Sequence, residues 1–201
     1  MHTRWDERYG TDEYLFGTEP NAFLAEVAGR IPRGPVLCLS EGEGRNGVFL
    51  AGLGFEVTGV DISPVGLAKA RALAAERGVA ITTVAADLEQ FTIAPGAWSG
   101  IVSIFGHLPP AIRAPLHRKV VTGLAPGGVF VLEAYTPAQI GRGTGGPSDP
   151  AMTPTLAILK AELAGLDVEI GVERQREVVE GSGHTGLAEV VQVLARKPSG
   201  S

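Results

Sequence analysis

Short apolar runs recur along this chain, and each gives way to a glycine and then to a segment with helical spacing. Runs without polar alternation predict strands buried on both faces. Their alternation with helices predicts a parallel sheet. Residues 35–40 read as the first strand and 45–53 as the first crossover helix. Residues 55–60, 79–85, 99–105 and 129–135 read as the next four strands. Ser63 and Pro64 open a helix in the favoured cap-then-proline order, and Gly78 stops it after about residue 77. A second helix is expected over 111–124, ending at Pro126-Gly127-Gly128. Ahead of the first strand, residues 21–30 read as a helix with Phe23, Leu24 and Val27 on one face. Past the fifth strand come a glycine-rich loop over 136–150 and a helix near 155–164. Residues 166–180 and 187–196 then form an antiparallel hairpin around Gly181-Ser182-Gly183. Five parallel strands followed by that hairpin predict a single doubly wound α/β sheet.

Composition narrows the class without changing this picture. A length of 201 residues suits one domain, since domains run to about 100–200 residues. The expected organisation is an N-terminal flap and helix over 1–34, the main domain over 35–197 and a frayed tail over 198–201. With 44% hydrophobic and 19% charged residues the chain can build a sizeable core. A net charge of -5 with no Lys/Arg run argues against a nucleic-acid partner. No apolar run approaches the roughly 18 residues of a membrane span. The polar, aromatic start over 1–9 does not read as a signal peptide, and the single cysteine, Cys38, fits a reducing compartment. A cytoplasmic monomer or homodimer without a metal is expected.

Chemistry concentrates where the first strand meets its helix. Gly42, Gly44 and Gly47 satisfy the G-x-G-x-x-G spacing of a dinucleotide loop. A pyrophosphate needs bare amides, whereas Glu41 and Glu43 beside them suit a cation such as the ammonium and sulfonium of S-adenosylmethionine. The loop therefore points to a methyl donor rather than to a nicotinamide cofactor. Ligands of open α/β sheets sit beyond the carboxyl ends of the strands. That rule gathers Ser40, Glu41, Gly42, Gly44 and Asn46 after the first strand, and Asp61 and Ile62 after the second. It adds Asp87 and Leu88 after the third, and Phe105 and His107 after the fourth. Asp61, 17 positions beyond Gly44, is placed to bind ribose hydroxyls or to cap the next helix. Asp87 is placed to accept from an adenine amino group.

Trp5, Tyr9, Tyr14 and Phe16 crowd ahead of the first strand in a chain with only 6% aromatics. They predict a flap over a sulfonium, or a staple fixing the N-terminal helix to the sheet edge. Candidates near the methyl acceptor are His107, able to take a proton from a thiol or hydroxyl, His184 in the hairpin turn, and Tyr135 with Glu133 at the end of the fifth strand. His2 and His117 read as surface groups, Cys38 as core packing, and residues 141–150 as a lid.

Four segments carry a family resemblance: Leu39-Ser40-Glu41-Gly42-Glu43-Gly44-Arg45-Asn46, Val60-Asp61-Ile62-Ser63, Ala85-Ala86-Asp87-Leu88 and Leu124-Ala125-Pro126-Gly127-Gly128. With them the chain resembles the class I S-adenosylmethionine-dependent methyltransferases. Trp5-Asp6-Glu7-Arg8-Tyr9, Phe16-Gly17-Thr18-Glu19-Pro20-Asn21, Glu133-Ala134-Tyr135 and Gly143-Thr144-Gly145-Gly146-Pro147 are similar to the tellurite-resistance and thiopurine methyltransferase-like branch. The resemblance implies a Rossmann-like seven-stranded sheet of order 3-2-1-4-5-7-6, strand 7 antiparallel, with helices on both faces. It also implies transfer of a methyl group in one displacement to a small-molecule nucleophile: a thiol, a thiopurine or a chalcogen oxyanion. Tellurite enzymes pair a histidine with an arginine near the last strands. Here Thr185 follows His184, and the nearest basic residues, Arg174 and Arg176, precede the turn. Two other readings remain. One is an NAD(P)-dependent oxidoreductase, kept by the glycine spacing although Gln139 stands where Tyr-x-x-x-Lys would need lysine after Tyr135. The other is a non-catalytic S-adenosylmethionine-binding protein.

Overall fold

Strand β1 (Pro35–Leu39) is the pivot of the sheet, paired in parallel with β2 (Glu56–Asp61) on one side and β4 (Trp98–Ile104) on the other. The computed structural model describes residues 4–200, so His2 and the last residue of the tail, Ser201, lie outside the described residues. β3 (Thr82–Ala85), β5 (Leu124–Tyr135), β6 (Asp167–Glu180) and β7 (His184–Arg196) complete seven strands in the order β3-β2-β1-β4-β5-β7-β6. β7 runs antiparallel to both of its neighbours. The fold is the expected doubly wound α/β sheet, and its strand order reverses between β1 and β4.

Alternate residues of β1 serve two cores, because successive side chains of a strand point to opposite faces. Val36 and Cys38 join Phe23 and Leu24 of α2 (Ala22–Val27) and Leu50 of α3 (Arg45–Gly52). Leu37 and Leu39 join Leu116 and Val120 of α5 (Pro110–Gly123) and Leu159 of α6 (Leu156–Glu162). Burial on both faces explains why the strands read as unbroken apolar runs. α4 (Pro64–Glu76) packs on α3 through Leu73, Ala74 and Val48, and α1 (Arg4–Tyr9) lies on α4.

Most element bounds shift by a residue or two from expectation, and four of the differences have a clear local reason. The helix expected from Asn21 begins at Ala22 because the Asn21 side chain caps it, accepting from Leu24 N at 3.0 Å, and its last turn tightens to a 3-10 helix over 28–30. β3 starts at Thr82, since this edge strand pairs only with β2 from Thr58 onward. β5 starts at Leu124, which pairs with Trp98; the turn over 126–128 is absorbed as a register shift. β7 starts at His184, paired with Glu180, so His184 belongs to the strand and is buried.

Gly44 precedes α3 with φ +96, and a Cβ there would stand 2.6 Å from Ala70 Cα in α4. Close helix approach and a left-handed backbone both require glycine here. Gly44→Ala is expected to lower the unfolding free energy by about 2–4 kcal/mol, from left-handed strain plus overpacking. Urea denaturation checks this, and a loss below about 0.5 kcal/mol would contradict it.

Candidate active site

Two strand ends hold the backbone in a costly conformation. Ser40 (φ 53) after β1 and Phe105 (φ 52) after β4 are the non-glycine residues with positive φ among the described residues. Such strain persists where the surroundings enforce it, and it gathers at functional sites. Both residues line a cavity of about 750 Å³ beyond the carboxyl ends of the strands, within the range of about 300–1,000 Å³ for small-molecule sites.

The loop carboxylates expected to face a cation are engaged inside the fold. Glu41 Oε1 accepts from the amide of Gly47, the third residue of α3, at 2.7 Å and so caps that helix. The rest of its carboxylate contacts the Cys38 thiol, and burial raises its pKa to about 7. Its stem fills the space over Gly59, where a Cβ would meet Glu41 Cγ at 2.7 Å. Glu43 Oε2 accepts from Leu15 N at 2.8 Å, and Oε1 lies 2.5 Å from Lys69 Nζ. Lys69 also donates to the carbonyls of Thr11 and Glu13. Glu43 thus ties down the N-terminal segment.

Asp61 braces two loops while lining the cavity. Its Oδ2 accepts from Gly42 N and its Oδ1 from Ser63 N, both at 2.9 Å. Ser63, rather than Asp61, caps α4 by accepting from Gly66 N. Gly44 N donates to the Glu41 carbonyl at 3.3 Å. All three glycine amides of the G-x-G-x-x-G loop therefore have partners within the protein. Gly44 stands outside the cavity lining, at the start of α3 with its α-carbon against Ala70.

The remaining expected cofactor residues come together around the cavity. Ile62, 41% exposed, and Leu88 offer apolar surface on the β2–β3 side, beside exposed Asp87, whose Oδ1 accepts from Glu89 N. Asn46 lines the wall and accepts from Asn21 N at 2.9 Å. Trp5 stacks on Tyr9 at 5.3 Å, and Tyr9 packs directly over Gly42 and Gly66. These aromatics staple α1 and also roof the cavity, so the two alternatives describe one arrangement.

The acceptor candidates fare differently. His107 lines the cavity, but its Nε2 accepts from Tyr135 N at 3.0 Å, and burial lowers its pKa to about 4. Whichever ring nitrogen faces an amide N–H must present its lone pair, so that nitrogen is not free to act as a base. Tyr135 lies wholly buried beneath Gly145 and Gly146, outside the cavity lining, and burial pushes its hydroxyl pKa upward. His184 lines the cavity between Phe16 (4.5 Å) and Phe105 (4.7 Å), and burial lowers its pKa to about 3. His117 is buried, not exposed as expected, and its Nδ1 lies 2.7 Å from Glu162 Oε2.

Sequence reasoning missed the ionic cluster beneath the hairpin. Glu133 receives Asn21, Arg176 and Gln192, and Glu180 receives Asn21, Arg176 and Arg45. Arg45 stands beside Glu41 in sequence, yet pairs with Glu180 Oε2 at 2.5 Å across 135 positions. No local signal announces such a contact.

Comparison with known proteins supplies the class. Residues 36–128 match the family described as the methyltransferase domain. A 2-heptyl-1-hydroxyquinolin-4(1H)-one methyltransferase of Mycobacteroides abscessus is 29% identical over 126 residues, 61% of this chain and 55% of that relative. The aligned region thus spans about half the length of that curated relative. TehB from Haemophilus influenzae superposes with a TM-score of 0.73 at 21% identity, covering 96% of this chain and 65% of that one. A structure that bears on conversion of a disulfide bond into a thioacetal group during echinomycin biosynthesis gives 0.76 at 20% identity, covering 98% and 92%. These two likenesses establish the fold. Two further structures named as S-adenosylmethionine-dependent methyltransferases, from Methanosarcina mazei and Mesorhizobium loti, give TM-scores of 0.70 and 0.65 at 16% and 20% identity, covering 87% and 90% of this chain and 98% and 100% of theirs.

Glu41 sets a pH test. Its folded pKa of about 7 exceeds the ordinary 4.5, so the native chain binds this proton more tightly than the unfolded chain. The stabilisation is full below the lower value and is lost as pH rises through the upper one. The loss from this group is on the order of 3 kcal/mol. Glu41→Gln keeps an acceptor for Gly47 N. It is expected to flatten the stability profile across that window and to exceed the wild type above it, as read by urea denaturation at several pH values. Parallel profiles would refute the assignment.

Proposed function

We propose that this chain moves the methyl group of S-adenosylmethionine onto a small-molecule nucleophile. The observation that carries this reading is the glycine loop with its amides already bonded to Asp61 Oδ2, the Glu41 carbonyl and Glu41 Oε1. A pyrophosphate requires those amides, so the loop does not suit a nicotinamide dinucleotide. S-adenosylmethionine needs none of them for a phosphate; when bound, it supplies an electrophilic methyl group on a sulfonium. Asp61 is assigned to the ribose hydroxyls and Asp87 to the adenine amino group, with Ile62 and Leu88 against the adenine faces. Trp5, Tyr9 and Phe16 cover the site, exclude water and present ring faces to the sulfonium.

Methyl displacement depends chiefly on alignment, and the chain's contribution is orientation of the two reactants within the cavity. His107 serves by holding the Tyr135 backbone rather than by taking a proton. Residues 145–149 line the cavity on one side and Trp5, Arg8, Tyr9 and Phe16 on another, which supports reading loop 141–150 as a lid and the N-terminal segment as a flap followed by a helix packed on the core. The acceptor is a small molecule, with thiols, thiopurines and oxyanions as candidate classes. The curated relative is named for a 1-hydroxyquinolin-4-one, and a flat hydroxylated heterocycle of that kind is a first acceptor to try.

Calorimetric titration is expected to show micromolar binding of S-adenosylhomocysteine and none of NADH. Asp61→Ala is expected to weaken S-adenosylhomocysteine about tenfold or more, by removing both a ribose partner and the brace on Gly42. Binding of NADH alone, or unchanged affinity in the variant, would overturn the assignment.

A further inference from the structure

Among the described residues five buried side-chain atoms have no hydrogen-bond partner: Glu43 Oε1, which is ion-paired with Lys69, Trp98 Nε1, and three more, Arg45 Nη1, His184 Nδ1 and the Tyr135 hydroxyl. Buried polar groups are nearly always paired, so three orphans in one neighbourhood call for an occupant. They do share a neighbourhood. Glu180 Oε2 lies 2.5 Å from Arg45 Nη2 and 4.0 Å from His184 Nδ1, and the His184 ring is 5.3 Å from that of Tyr135. Arg45 and His184 line the cavity, with side chains 8% and 10% exposed.

Charge around this corner is matched except for one arm. Arg176 is engaged by Glu133 and Glu180. Glu180 is already served by Arg176, Asn21 and one nitrogen of Arg45. The second nitrogen of Arg45 is left as a charged donor. Arg8, over the rings of Trp5 and Phe16, adds positive charge from the roof. His184 registers the resulting field: after burial, the cations Arg45, Arg8 and Arg176, together with His107, all disfavour its protonation. A neutral ring there can present Nδ1–H as a second donor.

We propose that Arg45 and His184 form a subsite for an anionic oxygen on the methyl acceptor, an ionised hydroxyl of the phenol or N-hydroxy class. The subsite rests on the methyltransferase reading and narrows its acceptor. A hydroxyl that loses its proton to solvent on binding beside a guanidinium needs no protein base, in keeping with the committed nitrogen of His107. The cofactor's own methionine carboxylate carries the same chemistry and is the competing occupant. The acceptor is favoured because His184 sits between Phe16 and Phe105 on the β4–β5–β7 side, away from Asp61 and Asp87.

The test uses the full chain saturated with S-adenosylhomocysteine, with 4-nitrophenol as the probe, read by its phenolate absorbance and by calorimetry. The wild type is expected to bind the phenolate. Arg45→Met is expected to weaken that binding about tenfold or more, and Arg45→Lys, which keeps a charge for Glu180, about threefold or more. His184→Phe keeps the aromatic packing and is expected to weaken it about threefold. S-adenosylhomocysteine affinity should stay within about twofold in all three variants. If Arg45→Met fails to fold, Arg45→Lys and His184→Phe decide. Weakened S-adenosylhomocysteine with unchanged phenolate binding would hand Arg45 to the cofactor carboxylate and overturn the subsite. So would no change in either ligand. A wild type that fails to bind S-adenosylhomocysteine would instead overturn the parent reading, and the subsite with it.

Discussion

The carboxylate of Glu41, folded back under the first turn of α3, is the constraint from which the site follows. It occupies the Gly47 amide and fills the space above Gly59, so neither position admits a side chain. Asp61 completes the lacing by taking the Gly42 amide and tying the loop after β1 to the loop after β2. Tyr9 can then lie flat on Gly42 and Gly66, and α1 becomes a roof instead of a loose end. Burying a carboxylate is costly, and the raised pKa of Glu41 records that cost. The return is a rigid loop whose backbone donors are closed to phosphate.

A second buried polar set fixes the opposite wall. Glu133 and Glu180 balance Arg45 and Arg176, while Asn21 and Gln192 satisfy further oxygens. Such clusters gain little stability over apolar packing, because desolvation offsets the Coulomb attraction. Their effect is geometric. This one joins α2, α3, β5, β6 and β7, and it fixes where the hairpin turns over the strand ends. Leu15 O accepting from Gly183 N closes the same turn onto the N-terminal segment. His184 is placed by this arrangement between two phenyl rings. The cavity thereby acquires unlike sides: Asp61 and Asp87 beyond β2 and β3, and Arg8, Arg45 and His184 toward β5 and β7.

Periodicity revealed the sheet because strands buried on both faces must be apolar throughout, and glycine or proline marks each of their ends. The acidic loop was also legible, but for a different physical reason than its charges suggest. Glu41 and Glu43 read as partners for a cationic ligand; both line the cavity, and they also cap α3 and hold Lys69 and Leu15. The conclusion against a dinucleotide survives because occupied amides, not repelled phosphate, close that loop. His184 read as a residue of the hairpin turn because strand length cannot be judged from a glycine turn alone; pairing with Glu180 carried β7 three residues further and buried it.

By itself, then, the sequence determined the element order, the doubly wound class and the strand ends that bear Ser40, Asp61, Asp87 and Phe105, since each depends on contacts between near neighbours in the chain. Only the tertiary structure decided which charges meet. Arg45 reaches Glu180 across 135 positions, Asn21 reaches Glu133 across 112, and His107 is claimed by the Tyr135 amide. Those partners are chosen by crossovers that bring distant strand ends together, and no local pattern of residues encodes that choice.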